Sequence, residues 1–180
     1  MKALLLGATG NLGSRLVPAL LAHNHQVCVF ARNPQKLNDL LPSSVISKLQ
    51  IIQGDATSET AATSALTVSD AEVLVTAAGA APLLAWPKSN VMEIDSAIVA
   101  SLEVTGTKRR IRSWFLAGML LLDLPGSGGS RKLFDYLPLY PNDVHKIPLL
   151  EQSKNIRWSC ICPAKMSAFS KKVLSAEEHF

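Results

Sequence analysis

The chain lacks any long apolar run. Its longest, residues 114–122, is nine residues, about half of what a membrane-spanning helix needs. Met1 and Lys2 lead into only four apolar residues before Gly7, too few for the apolar region of a secretory leader, so a cytoplasmic location and no membrane partner are expected. Aromatic residues are scarce, with 3 Trp, 2 Tyr and 5 Phe. The net charge of +4 is scattered except at residues 108–110 and 171–172. A nucleic-acid surface wants a basic stripe interleaved with aromatics, so this charge reads as a solvated surface and no nucleic-acid partner is expected. Cysteine is also sparse and odd in number, at 3, which excludes a full disulfide framework and points to a reducing compartment. Cys160 and Cys162, two apart, would need two further ligands to hold a metal, and only His145 and His179 are candidates. Free thiols and no metal are the expectation. Neither a G-x-S-x-G elbow nor an H-E-x-x-H pair occurs, so hydrolase and zinc-protease chemistry has no support.

What is present is an alternation. Residues 2–6, 26–31, 49–53, 72–76, 112–118 and 156–162 are short apolar runs, continuous in the way of strands covered on both faces. Helix-like segments separate them. Residues 11–23 carry Leu12, Leu16 and Leu20 at spacing four, with Asn24 as a left-handed stop and Pro18 an unexplained cost. Residues 34–41 start on Pro34, residues 58–66 form a weaker pattern, and residues 91–106 place Ile94, Ile98 and Leu102 on one face. Residues 143–155 begin on Asp143 as a cap. The alternation predicts one α/β domain over residues 1–180, a doubly wound, mostly parallel six-stranded sheet with helices on both faces. Two segments break the rhythm, residues 77–89 and 123–142. Both leave carboxyl ends of strands, where ligands of such sheets bind.

The most informative stretch is "GATGNLG", residues 7–13, which follows a strand and opens a helix. Gly7 permits a tight turn, Gly10 lets backbone approach a pyrophosphate, and Gly13 lets the helix pack on the strand. Across Thr9, Asn11 and Leu12 the backbone N–H groups at the helix start meet negative charge. A second glycine-rich stretch, residues 126–132, lacks the Gly-Lys-Ser/Thr ending of a P-loop and reads as a pocket rim.

The G-x-x-G-x-x-G spacing resembles the short-chain dehydrogenase/reductase superfamily, especially its atypical NmrA-like and flavin/biliverdin-reductase-like branch. The likeness continues through "VCVFARNPQKL", "QGDA", "AAGA" and "IRWSCICP", covering residues 1 to about 166. It implies a Rossmann-like fold. An acidic residue about 20 positions beyond the glycines reads the NAD ribose, whereas an Arg accommodates a 2′-phosphate. Arg32 stands there and no acidic residue follows until Asp39, so NADP(H) is the expected cofactor. An ordinary surface Arg would look the same, and Lys36 is either a helper or a solvated helix residue. Asp55 either caps the next helix or, as the resemblance implies, holds the adenine together with the Ala56 backbone. Ala77, Ala78 and Gly79 are small where the cofactor ribose passes.

Typical members of that superfamily act through a Tyr-x-x-x-Lys pair and a Ser. Neither Tyr136 nor Tyr140 is followed by Lys at that spacing, and residues 115–120 contain no hydroxyl. The atypical branch works without the pair, since placing a planar acceptor over the nicotinamide supplies much of the effect. Tyr140 and His145 are the candidate proton-handling residues, His145 having a surface helix-start position as its alternative. The resemblance implies a small NADPH-dependent oxidoreductase with a small-molecule acceptor, or a non-catalytic dinucleotide sensor that binds a regulatory protein. Residues 80–90, 119–145 and 163–180 would form a short substrate region.

Overall fold

Alternate residues of β1 (Lys2–Leu6) and β2 (Gln26–Ala31) enter two different cores, which explains why both strands are apolar without interruption. The computed structural model describes residues 1–79, 90–118, 121–123, 125–126, 128–129, 131–132, 135–136 and 145–162. With β3 (Gln50–Gln53), β4 (Val73–Thr76), β5 (Arg112–Leu116) and β6 (Arg157–Ile161), the strands form a six-stranded sheet of order β3-β2-β1-β4-β5-β6. Every neighbouring pair is parallel. This is the Rossmann-like arrangement expected from the strand–helix alternation.

Leu4, Leu6, Cys28, Phe30, Leu74 and Phe115 face α3 (Glu59–Val68), α4 (Val91–Gly106) and α5 (Lys146–Glu151). Leu5, Val27, Val29 and Ala77 face α1 (Gly13–Ala22) and the segment holding Leu37 and Leu41. Not every strand is covered twice. In β5 and β6 the register pairs Arg112 with Arg157 and Leu116 with Ile161, and Arg112, Trp114, Arg157 and Ile161 on that face are exposed.

The helix boundaries differ from the sequence pattern in three places. Residues 34–41 form only a 3-10 turn at Pro34–Leu37, followed by a one-turn α2 (Ser43–Ile46), since Pro42 disfavours helical backbone at Leu41 before it. Helix α3 is capped by Ser58, which accepts from the Ala61 N–H; Asp55 is not its cap. Helix α5 starts at Lys146, and Asp143 lies outside the described residues. Beyond that helix, Glu103 of α4 accepts from the Lys154 and Asn155 N–H groups. Asn24 closes α1 with φ of 58° as expected, and Pro18 is accommodated inside it. None of the described helices is long and apolar enough to cross a membrane.

At the amino-terminal edge Asp70, in the turn before β4, joins Lys2 of β1 at 2.8 Å and also Arg109 beyond α4. Arg109 donates to the Ala71 carbonyl as well, so part of the basic 108–110 run ties elements together. Those two partners hold the Asp70 carboxyl below its ordinary range, Lys2 contributing first.

The fold's tightest joint lies at the opposite edge. A Cβ on Gly13 would stand 2.1 Å from the Gly7 carbonyl oxygen, and one on Gly7 would stand 2.6 Å from the Ala77 carbonyl carbon. Gly13→Ala should therefore lower unfolding free energy by about 3 kcal/mol or more, the range of severe core clashes. Urea unfolding followed by circular dichroism checks this, and an unchanged midpoint would contradict the packing.

Candidate functional site

The parallel register brings the exits of the strands to one edge. Leu6 pairs with Phe30 and with Thr76, Ala31 with Gln53, and Thr76 with Phe115. Gly7, Arg32, Gly54, Ala77 and Ala117 are thus the first residues, or within two of the first, beyond this line. The strand order reverses between β1 and β4, the place where an open α/β sheet has its ligand crevice.

In the glycine turn Gly7 has φ of 76°, a conformation a side chain would strain. Its carbonyl accepts the Gly10 N–H at 2.9 Å, and Ser14 N–H reaches the Gly10 carbonyl at 3.0 Å. Among the described residues the turn's backbone bonds do not use the amides of Asn11 or Leu12. Leu12 precedes α1 with no side-chain cap, so the first turn keeps donors for an anion. A Cβ on Gly10 would meet only the Gly7 oxygen, at 3.2 Å. The glycine at position 10 therefore leaves space above the turn, whereas those at 7 and 13 answer to packing. Thr9 is half-buried between them.

Arg32 is exposed just beyond β2, and its carbonyl accepts from Gln53 Nε2 at 3.4 Å. Asp55, beyond β3, accepts from Thr57 N–H at 3.0 Å and Thr57 Oγ1 at 2.9 Å. These bonds, the backbone one first, with the charge of Arg32 adding, hold its carboxyl below the ordinary range. Arg32 and Asp55 are therefore close enough to feel each other, with Ala56 next in the chain. Lys36 is exposed on the 3-10 turn. On the other side of the reversal, Ala78 N lies 2.7 Å from a Cβ built on Gly7, and Leu116 Cδ2 lies 3.1 Å from one on Gly79.

Leu116 leads to a cluster that the sequence pattern does not announce. Its carbonyl accepts from Lys146 Nζ. Lys146 is 0% exposed and Asp95 of α4 is 1% exposed. The ammonium and His145 Nε2 each lie 3.3 Å from the same Asp95 oxygen, Oδ2. His145 stands at the start of α5 and is half-buried against α4. Among the described residues neither Asp95 oxygen nor either His145 nitrogen has an aligned hydrogen bond, and Thr76 Oγ1 at the end of β4 also lacks one. Tyr140, the other proton-handling candidate, lies outside the described residues, as does most of the expected substrate region. Asp95 carried a readable signal: with Val91, Ile98 and Leu102 it follows the buried stripe of α4, an acidic residue in an apolar register. Lys146 offered none.

The remaining features are structural. The glycine stretch near residue 126 has φ of 80°, 59° and 82° at Gly126, Gly128 and Gly129. It is closed by pairing of Asp123 with Lys132, whose side chains meet at 3.1 Å. Cys28, Cys160 and Cys162 form no disulfide, and among the described residues no cluster could hold a metal.

A bare glycine turn opening a helix at the reversal point of a parallel sheet defines a dinucleotide-binding α/β protein. The family model described as NAD(P)H-binding matches residues 7–168, and the chain belongs to that family. Similar solved structures include the putative NADH-flavin reductase SP1627 from Streptococcus pneumoniae, 16% identical, with a TM-score of 0.69 over 96% of this chain and 76% of that one. ChuY, an anaerobillin reductase from Escherichia coli O157:H7, is 16% identical with a TM-score of 0.61 over 89% and 71%. The UDP-glucose 4-epimerase of Thermus thermophilus, in complex with NAD, is 16% identical with a TM-score of 0.63 over 90% of this chain but only 54% of its own. At such identities the likeness is one of fold. No curated protein matches the sequence.

Burial raises the thiols of Cys28 and Cys160 from the ordinary 9.0 to about 11. The folded protein thus holds these protons more tightly than the unfolded chain. Their stabilising contribution is complete below pH 9.0 and is lost as pH rises toward about 11. Urea midpoints measured across that window should fall, and Cys28→Val should flatten the slope. An unchanged slope in the variant would show that Cys28 does not titrate so.

Proposed function

We propose that the chain is a small NADPH-dependent oxidoreductase of the atypical short-chain type, acting on a small-molecule acceptor. The observation that carries this reading is the glycine turn. Gly7 and Gly13 are spent on packing, while Gly10 leaves open backbone beside the unused Asn11 and Leu12 amides. Those residues fit a pyrophosphate. When bound, the reduced dinucleotide supplies a hydride to an acceptor.

The chain's own residues divide the remaining work. The Asn11 and Leu12 amides of the 7–13 turn bind the diphosphate, Arg32 neutralises a 2′-phosphate, and Asp55 with the Ala56 backbone orients the adenine. Ala78 and Gly79 leave room for the ribose. Beyond β5 come Ala117 and Gly118, so no hydroxyl there can hold an acceptor oxygen. Holding the acceptor in place is then the main source of rate. His145, and Tyr140 in the segment leading to it, assist a proton. Residues 80–90, 119–145 and 163–180 would wall the acceptor, in a cytoplasmic protein.

The missing hydroxyl after β5, with the missing Tyr-x-x-x-Lys pair, favours one second reading: a dinucleotide sensor that binds a regulatory protein without turnover. Thermal shift and NADPH absorbance on one sample separate the two. Cofactor at about a hundred times its dissociation constant should add about 2.7 kcal/mol of stability. A shift with NADPH consumption in the presence of quinones, flavins or simple carbonyls supports the oxidoreductase. A shift without consumption supports the sensor, and no shift overturns both.

Cofactor choice has its own expected outcome. In calorimetric titration NADPH should bind more tightly than NADH, and Arg32→Ala should remove about ten- to a hundredfold of that preference, the worth of a charge-assisted contact. Equal affinities in the unaltered protein would defeat the assignment. Gly10→Val should abolish binding of both nucleotides while the protein stays folded, since its side chain would occupy the pyrophosphate space.

A further inference from the structure

The Asp95–Lys146–His145 cluster has no part in binding the adenine, phosphate or ribose as just assigned. Two ionisable side chains that are 1% and 0% exposed are costly to bury. An apolar pair of similar volume would often serve the fold as well or better. The pairing is also incomplete, for among the described residues Asp95 Oδ1 has no aligned donor and neither His145 nitrogen has an aligned hydrogen bond. Such groups in a packed interior call for a further partner.

Their place narrows what that partner is. Arg32 and Asp55 stand over β2 and β3, on one side of the reversal between β1 and β4. A dinucleotide lying across that reversal with its adenine over β2 and β3 extends its other half over β4 and β5. There Gly79 lies against Leu116, the Leu116 carbonyl receives Lys146, and Asp95 stands behind both Lys146 and His145. Thr76, whose hydroxyl at the end of β4 has no hydrogen bond among the described residues, belongs to the same side.

We propose that Asp95 is the positioning residue for the nicotinamide half of the cofactor. Its carboxylate fixes the Lys146 ammonium against the end of β5 and turns the His145 ring toward α4, so that both present a set geometry where that half lies. Asp95 itself is buried in α4 and acts through these two neighbours. The inference rests on the dinucleotide reading above.

The test compares NADPH with 2′-phospho-ADP-ribose, a fragment lacking the nicotinamide, in calorimetric titrations. Asp95→Asn should weaken NADPH about tenfold, the scale of one charge-assisted contact, and leave the fragment within about twofold. Lys146→Met should show the same split. In the double variant the losses should not add, because the two residues act as a unit. Unchanged NADPH affinity in Asp95→Asn, or equal weakening of NADPH and fragment, overturns the proposal, since a purely structural role moves both ligands together. If circular dichroism shows Asp95→Asn unfolded by its uncompensated ammonium, the Asp95→Asn/Lys146→Met protein, which buries no charge in this pair, takes its place. There too, selective loss of NADPH supports the proposal, and unchanged or equally weakened binding overturns it. An unaltered protein that binds NADPH no better than the fragment overturns the role of Asp95 alone. One that binds neither overturns the dinucleotide reading and the inference with it.

Discussion

Everything at the carboxyl edge depends on how closely α1 can sit over the end of β1. The backbone of Gly13 lies against the Gly7 carbonyl with no room for a methyl group, and Gly7 has no room for one against the backbone leaving β4 either. These two approaches lock three elements together: β1, α1 and the exit of β4. They also fix where α1 begins, just after Asn11 and Leu12, whose amides the turn's backbone bonds leave unused among the described residues. A helix displaced by even one methyl radius would move those donors away from the reversal point.

From that joint the edge divides by environment. Over β2 and β3 the functional candidates are exposed, with Asp55 holding its charge through two bonds from Thr57 and the nearby Arg32. In water such charges are cheap and their interactions screened. Over β4 and β5 the groups are buried, and a cation there is tolerable only beside an anion. The Lys146 ammonium accordingly has the Leu116 carbonyl and the Asp95 carboxylate around it. One half of the edge thus carries its charges in water, the other holds its charges out of it.

The amino-terminal edge shows the contrast. Its charges, Lys2, Asp70 and Arg109, pair with one another across three segments. That arrangement uses charge to close the fold, and it absorbs part of what looked in the sequence like an unassigned basic run. The chain belongs to the NAD(P)H-binding family, and open α/β sheets bind ligands outside the carboxyl ends of their strands.

Local chemistry determined much of this. The apolar strand runs, the glycine turn after β1 and the left-handed Asn24 each follow from residues adjacent in the chain, and the structure has all of them where the residues imply. Boundaries that depend on competition were less legible. Residues 34–41 carry a helical pattern yet make only a 3-10 turn, and Ser58 rather than Asp55 caps α3. Position 32 could be placed at the exit of β2 from its distance past the glycines, because strand lengths in a parallel sheet make that distance regular. The buried cluster could not be read so. Asp95 and Lys146 are 51 positions apart, on helices joined by β5 and a long connection, and only the packing of α4 and α5 on one face of the sheet brings them within 3.3 Å. Sequence by itself determined the elements and the turn, because those obey periodicity and backbone sterics over a few residues. The tertiary structure decided which charges share a low-dielectric space, because burial is a property of surfaces that meet only after the chain has folded.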